Sequence, residues 1–398
     1  MLKRLVVVLV SILVAMTLWA PAATAYTPRP GPIFNNPTGS MAAKFKLLTH
    51  VERSIRSTRR GETILISTYL MDRRQSADAL INARKRGVSV QVVMDGGINN
   101  RHSRRLKSAL NRDNGNKGRK WGPDRSFAIQ CRGSCRGGKS EKNMHSKFFA
   151  FSRTGSARNV VMVSSSNLNK GGATRGYNDL FTMSGVPSTF RTYQRIHGEM
   201  ARDRPARNPY VVHRERSFES QFFPKRSASR ATDPTYQALS RVRCRKVSGG
   251  AGRRGRTAIN ISMFFWAGER GVYLAKRLLK LNREGCIVGV IIGAPKKDVG
   301  GVLRRSARRE GGINLYDSRV DRNNDGENEL RVHTKYMLIN GNYRGDSSSW
   351  QVFTGSQNWV KGSLTGGDET TLQISRQRAH RAYMNNWDFV RGRARKID

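Results

Sequence analysis

Met144-His145-Ser146-Lys147-Phe148-Phe149-Ala150-Phe151 and Val332-His333-Thr334-Lys335-Tyr336-Met337-Leu338-Ile339 are the two stretches whose reading decides the fold. Each leads into a second apolar run that ends in polar residues: Val160 to Ser165-Ser166-Asn167, and Gln351 to Ser356-Gln357-Asn358. Residues i and i+2 of a strand share a face, so an H-x-K on a strand sets an imidazole beside an ammonium. Ser and Asn then arrive from the end of the following strand. One H-x-K says little, because two alternating polar residues usually mark a wetted strand face. Two copies in matched surroundings say that a unit is duplicated.

Working outward, the flanks repeat as well. Gly61-Glu62-Thr63-Ile64-Leu65-Ile66-Ser67 is echoed by Arg256-Thr257-Ala258-Ile259-Asn260-Ile261-Ser262, both read as buried strands. Ala83 to Val93 resembles Leu281 to Ile291, a helix ending at Gly87 or Gly285 with a strand directly after. Met41, Phe45, Leu48, Val51 and Ile55 share one helical face; Tyr236, Leu239 and Val242 do so in the second half, behind an Asp233-Pro234 cap. Strands alternating with helices predict an α/β layered unit, present twice. The expected division is a leader over 1–25, a first repeat over 26–217 and a second over 218–398.

The chain has 398 residues, with 73 Lys and Arg against 28 Asp and Glu, a net charge of +45. An apolar share of 37% supplies real cores and argues against global disorder. Only the N-terminal segment is apolar enough to test against a membrane, which excludes a polytopic membrane protein. There Lys3 and Arg4 precede the apolar run Leu5 to Trp19, and Ala23-Thr24-Ala25 has the small residues of a cleavage site. That run is shorter than the roughly 20 residues a spanning helix needs. A cleaved leader and a secreted, extracellular protein are therefore expected. In that compartment Cys131, Cys135, Cys244 and Cys286 imply two disulfides among three connectivities, the simplest being Cys131–Cys135 with Cys244–Cys286.

The duplicated motif resembles the signature of the phospholipase D superfamily of phosphodiesterases, H-x-K-x4-D followed by G-S-x-N, present twice in its longer members. The resemblance covers nearly all of the chain beyond the leader and is closest to secreted two-motif proteins of actinobacterial type. The signature's Asp falls on Ser152 and Asn340, and its Gly on Ser164 in the first copy. The resemblance implies two α/β/α sandwich repeats related by a pseudo-two-fold, with one active site where the motifs meet.

Displacement at phosphorus needs a nucleophile, an acid for the leaving oxygen and positive charge on the equatorial oxygens. His145 and His333 can supply the first two through a phosphohistidine. Lys147 and Lys335 balance charge, Asn167 and Asn358 donate, and Ser165 and Ser356 assist. The resemblance makes His145 the nucleophile and His333 the acid; the residues alone do not order them. Each imidazole also needs an orienter, with Asp179 and either Asp368 or Glu369 at matched places. The remaining histidines, His50, His102, His197, His213 and His380, lack such partners.

No cofactor and no metal are expected. Asp321 to Gly326 opens like a calcium loop, but its twelfth position is Val332. The charge calls for a polyanionic partner without naming it. Hydrolysis of phospholipid headgroup esters at an anionic surface, by a monomer, is the expected activity. An extracellular nuclease using the same site is the first rival, and a non-catalytic polyanion-binding protein the second. A bilayer enzyme needs apolar residues at its mouth; Trp121, Trp266 and Trp359 are the expected anchors, whereas Phe264 and Phe265 are expected in the core.

Overall fold

Ile64-Leu65-Ile66 and Ile259-Asn260-Ile261 lie at the centres of two sheets, each paired in parallel on one side and antiparallel on the other. The structure, a computed structural model, describes residues 25–112, 126–138, 143–321 and 323–398. The expected leader, apart from Ala25, and Trp121 lie outside these residues. In the first sheet the strands run in the order Gly31–Phe34, Asp179–Met183, Ala157–Ser164, Phe148–Thr154, Thr63–Thr68, Ser89–Asp95, Phe127–Cys131. The second repeats that order from the other end: Asn314–Asp317, Ile287–Pro295, Ala258–Trp266, Lys335–Tyr343, Asp346–Gly355, Thr370–Ser375, Phe218–Phe222. It adds Arg395–Ile397 at one edge and Val211–Glu215 at the other.

The parallel pairs need crossovers, which are the helices Arg74–Lys85 and Gly268–Arg283. Each ends at a glycine with positive φ, Gly87 at +83° and Gly285 at +99°, as the sequence predicts. Asp233 caps its helix by accepting from the Thr235 N–H. The expected apolar face of the first helix holds for Phe45, Leu48, Val51 and Ile55, but Met41 is 62% exposed. The helix breaks at Phe45 into Met41–Lys44 and Lys46–Arg56, which takes Met41 off that face.

Each sheet has an outer face covered by its own helices and an inner face turned to the other repeat. The outer cores hold Leu80, Leu106 and Ile66 in one repeat and Leu274, Leu278 and Val290 in the other. One central core joins the two, with Phe148, Phe181 and Tyr193 from the first repeat packed with Tyr336, Leu372 and Tyr383 from the second. The helices Pro187–Ala201 and Gln377–Arg391 contribute to it. Both expected disulfides are formed, Cys131–Cys135 and Cys244–Cys286. Among the described residues no helix is long and apolar enough to cross a membrane.

Candidate active site

Each H-x-K is stitched to the opposite repeat before its own strand begins. The His145 N–H donates to the Asp368 carbonyl at 2.9 Å, and the His333 N–H to the Tyr177 carbonyl at 2.8 Å. The strands start only at Phe148 and Lys335. Lys335 is the first residue of its strand, and His145 and His333 lie at the extended entry to a strand rather than within it, a difference from the sequence expectation. Their backbone N–H groups are committed across the repeat boundary, not to the sheet ladder. Each lysine folds back on its histidine: Lys147 Nζ donates to the His145 carbonyl, and Lys335 Nζ to that of His333, both at 2.5 Å.

The orienters are crossed too. His145 Nδ1 lies 3.0 Å from both carboxylate oxygens of Glu369, on the second repeat. A carboxylate only accepts, so His145 carries its proton on Nδ1 and turns Nε2 outward as the free lone pair. His333 Nδ1 lies 2.8 Å from Asn178 Oδ1, on the first repeat. Asn178 Nδ2 donates to the carbonyls of Gly172 and Gly176, which fixes Oδ1 as the acceptor facing His333.

Asp179 and Asp368 do not orient a histidine. Adjacent residues of an extended segment point to opposite sides, so each lies one step from the residue that does. Asp179 accepts from Thr354 Oγ1 and from the Tyr383 hydroxyl at 2.8 Å, inside the central core. Asp368 accepts from Ser134 Oγ at 2.9 Å and from the N–H groups of Cys135 and Arg136, holding the first disulfide loop. Asn178 is the residue the sequence reading missed. Ser165 bonds Asn178 and Ser356 bonds Glu369 at the same sequence separation of 13. That shared offset would have paired the two orienters, but a search confined to carboxylates passes over an amide.

The expected Ser and Asn residues take their places directly after the strands Ala157–Ser164 and Asp346–Gly355. Ser165 Oγ accepts the Asp179 N–H and Ser356 Oγ the Thr370 N–H, both at 3.0 Å, so the serines steady the orienter segments. Asn167 Oδ1 accepts the Leu70 N–H and Asn358 Oδ1 the Phe265 N–H, leaving an amide NH2 on each as the donor. Arg270, buried, clamps the second loop through the Asn358 carbonyl, Gln357 Oε1 and a bidentate pair with Asp233.

Burial and mutual repulsion set the electrostatics. Burial holds His145 below its ordinary range, against the pull of Glu369. Burial and the charges of Lys335 and Lys147 push His333 well below it. Burial lowers Lys147 to about 7, opposed by Glu369 and Asp95, and holds Lys335 well below its ordinary range, with Lys147 adding to the effect. Burial alone would raise Glu369, but His145, Lys147 and the Ser356 hydroxyl outweigh it and keep the carboxyl ionised. Burial raises Asp179, and raises Asp368 to about 7. Such a site is short of negative charge and is relieved by an anion.

The aromatic expectations are reversed. Trp266 and Trp359 are 0% and 4% exposed, packed edge to face at 4.5 Å, with Trp266 Nε1 donating to the Gly271 carbonyl. They are core residues, not bilayer anchors. Phe264 and Phe265 are the half-buried pair. The Phe264 ring lies 4.7 Å from His333 with Lys335 over its face, as Tyr69 lies 5.4 Å from His145 in the first repeat. At the signature's Asp positions, Ser152 Oγ accepts the Thr63 N–H and donates to Glu62, and Asn340 Oδ1 accepts the Gly252 N–H. A neighbouring carboxylate or an amide thus keeps the strand entry tied.

A sequence profile of the family described as "Cardiolipin synthase, PLD-like domain" matches residues 51–203 and 253–388, more than half of the chain. No curated protein sequence matches it. Among solved structures, phosphatidylserine synthase from Haemophilus influenzae Rd KW20 superposes with a TM-score of 0.58 at 13% identity, over 92% of this chain and 87% of that one. Polyphosphate kinase from Porphyromonas gingivalis gives 0.56 at 13% identity, over 91% of this chain and 50% of the kinase, so the chain spans half the kinase's length. At this identity both likenesses speak for the fold alone. With two matched segments, each carrying its own H-x-K and S-x-N set, the chain belongs to the PLD-like domain family of the phospholipase D superfamily.

Proposed function

We propose that the chain is an exported phosphodiester hydrolase that cleaves nucleic acid through a phosphohistidine on His145. The observation that carries the chemistry is the unequal pair of orienters. With Glu369 on its Nδ1–H, His145 offers the Nε2 lone pair to phosphorus, and the Glu369 charge offsets the cationic ring that results. His333, steadied by a neutral amide, is the better proton donor, because nothing anionic holds its imidazolium. As the Nε2–P bond forms and the P–O bond breaks, His333 gives its Nε2 proton to the leaving oxygen. It then takes a proton from water, the water oxygen bonds to phosphorus, and the P–N bond breaks. Lys147, Lys335, Asn167 and Asn358 supply positive charge and hydrogen bonds to the equatorial oxygens.

The choice of nucleic acid rests on charge and surface. A chain at +45 attracts any polyanion, but a bilayer enzyme also needs apolar side chains at its mouth. Trp266 and Trp359 lie in the core, Phe264 and Phe265 are half-buried beside the site, and the exposed large apolar side chains among the described residues are Met41 and Val212. Two disulfides support an oxidising compartment. The phospholipid reading remains the second one, favoured by the name of the matched family. A side-by-side assay on single-stranded DNA, plasmid and phosphatidylcholine vesicles tests the choice. DNA cleavage that weakens steeply with salt is expected; lipid product without DNA cleavage overturns the substrate, and no turnover of any phosphodiester overturns the activity.

A further inference from the structure

A cavity of about 570 Å3 opens beside the paired motifs, lined by His145, Asn358, Phe265, Val360, Lys361 and Ser363 among others. It has the size of a small-ligand site and an aromatic wall beside a few polar groups. The pseudo-two-fold places Leu70 where Phe265 stands, since each N–H meets the matching Asn. By the same register Asp72 replaces Ala267 and Asn169 replaces Val360. Asp72 spends its carboxylate on the Lys170 N–H. The paired motif groups are symmetric, then, but the aromatic ring at this position and the apolar Val360 beside it belong to the second repeat alone.

We propose that this cavity holds the nucleoside that stays attached to phosphorus during turnover, its base stacked on Phe265 against Val360. The inference rests on the nuclease reading above and says which part of the substrate that site recognises. The cavity includes His145 and its orienter Glu369 but not His333. Its occupant therefore sits on the nucleophile's side, away from the group that leaves toward His333. A nucleobase suits both kinds of lining, with an apolar face for Phe265 and polar edges for Ser363 and Asn143, while exposed Lys361 meets the next phosphate of the strand.

Two esters with the same leaving group separate this subsite from the chemistry: thymidine 5′-(4-nitrophenyl phosphate) and methyl 4-nitrophenyl phosphate. The intact protein should prefer the thymidine ester in kcat/KM. Phe265→Ala should cut that preference by about 10- to 100-fold, the scale of one base–aromatic stack. Phe265→Trp should keep it, and Val360→Asn should reduce it less. Turnover of the methyl ester reports that each variant is folded. A wild-type protein that turns over the methyl ester without preferring thymidine overturns the subsite and leaves the hydrolase standing, as does a Phe265→Ala loss equal on both esters. A wild-type protein that cleaves neither ester nor DNA overturns the activity underneath it.

Discussion

Seven strands of each repeat run in the same order, yet the repeats differ at the atom that faces each histidine. His145 meets a carboxylate, Glu369, and His333 meets an amide, Asn178. The groups that the proposed mechanism sets against a phosphate from both sides are duplicated: the imidazoles, the ammoniums, the Asn donors and an aromatic ring against each motif. Symmetry is broken where the two imidazoles must do different work, and again in the cavity wall. On the proposed reading, duplication supplies a site for a near-symmetric phosphate, and the point differences set the direction of the reaction.

The largest effect should come from breaking the pair itself. His145→Ala and His333→Ala should each reduce turnover by about 10⁴-fold or more, with the double variant little worse, because residues acting as a unit are non-additive. Half-activity in either single variant would mean two independent sites and would end the comparison as drawn. A phosphoenzyme trapped with 32P-labelled substrate should form on His145 and accumulate in His333→Ala; label on His333 would reverse the roles.

Next in size are the orienters. Glu369→Gln keeps the shape but removes the charge that supports the phosphorylated ring, and should cost about 10²–10⁴-fold in kcat. Asn178→Ala removes the neutral acceptor from His333, together with the bonds to Ser165, Gly172 and Gly176 that hold it, and should cost about tenfold. The pH profile of kcat/KM sharpens the contrast. The proposed mechanism needs His145 neutral and His333 protonated, and both are held below the ordinary 6.5. The bell should therefore peak on the acid side of pH 6.5, with further loss as Lys147 deprotonates near 7. Asn178→Asp puts an anion against His333, raises its pKa, and should move the peak toward neutrality by about 0.5–1.5 units. A peak that stays put would show that Asn178 does not set the acid.

The sequence carries most of the fold and the symmetric half of the site. The duplicated α/β layering follows from two echoed strand–helix–strand runs, and the matched His, Lys, Ser and Asn positions follow from the repeated motif spacing. What it hides are differences of a single residue. Asp179 and Asp368 each sit beside the true orienter, and a one-residue step along an extended segment turns a side chain to the other face. The Trp–Phe reversal has the same origin, since Phe265 and Trp266 are neighbours on one strand end and only tertiary packing says which turns inward. Ser164 shows the opposite case. In the second repeat a Cβ at Gly355 would lie 2.2 Å from the Thr370 carbonyl, but Ser164 turns the corresponding approach into a 2.7 Å hydrogen bond to the Asp179 carbonyl.

The disulfides give a smaller and divided effect. Cys131–Cys135 closes a loop with a sequence separation of only 4, so it adds little chain entropy to stability. Its loop donates to Asp368, the neighbour of Glu369, which ties it to the His145 orienter. Replacing both cysteines by serine should lower kcat about three- to tenfold with a small change in Tm. Cys244–Cys286 spans a separation of 42 and lies in the outer core of the second repeat. Its removal should cost about 2–4 kcal/mol of stability and leave kcat alone. The reverse pattern would show that Asp368 does not couple the first loop to the site.

The smallest effect is expected from chelation. Asp321, Asp325 and Glu329 bring carboxylate oxygens within 4.8 Å of one another on the loop that leads into the second motif. Asp321 Oδ2 already accepts the Gly326 N–H, and Asp325 Oδ1 accepts the Glu327 N–H, so the loop is tied by its own backbone. Val332, the twelfth position of a calcium loop, is buried and paired with Tyr177, where it can ligate nothing. In the proposed mechanism, charge on the phosphate is met by Lys147 and Lys335 with the two Asn amides. Exhaustive treatment with EDTA should change turnover by less than about twofold. Loss of activity that calcium restores, and that Asp321→Asn reproduces, would mean that the second repeat needs a cation to set His333. The difference between the repeats would then lie in how each motif is entered as well as in what faces its histidine.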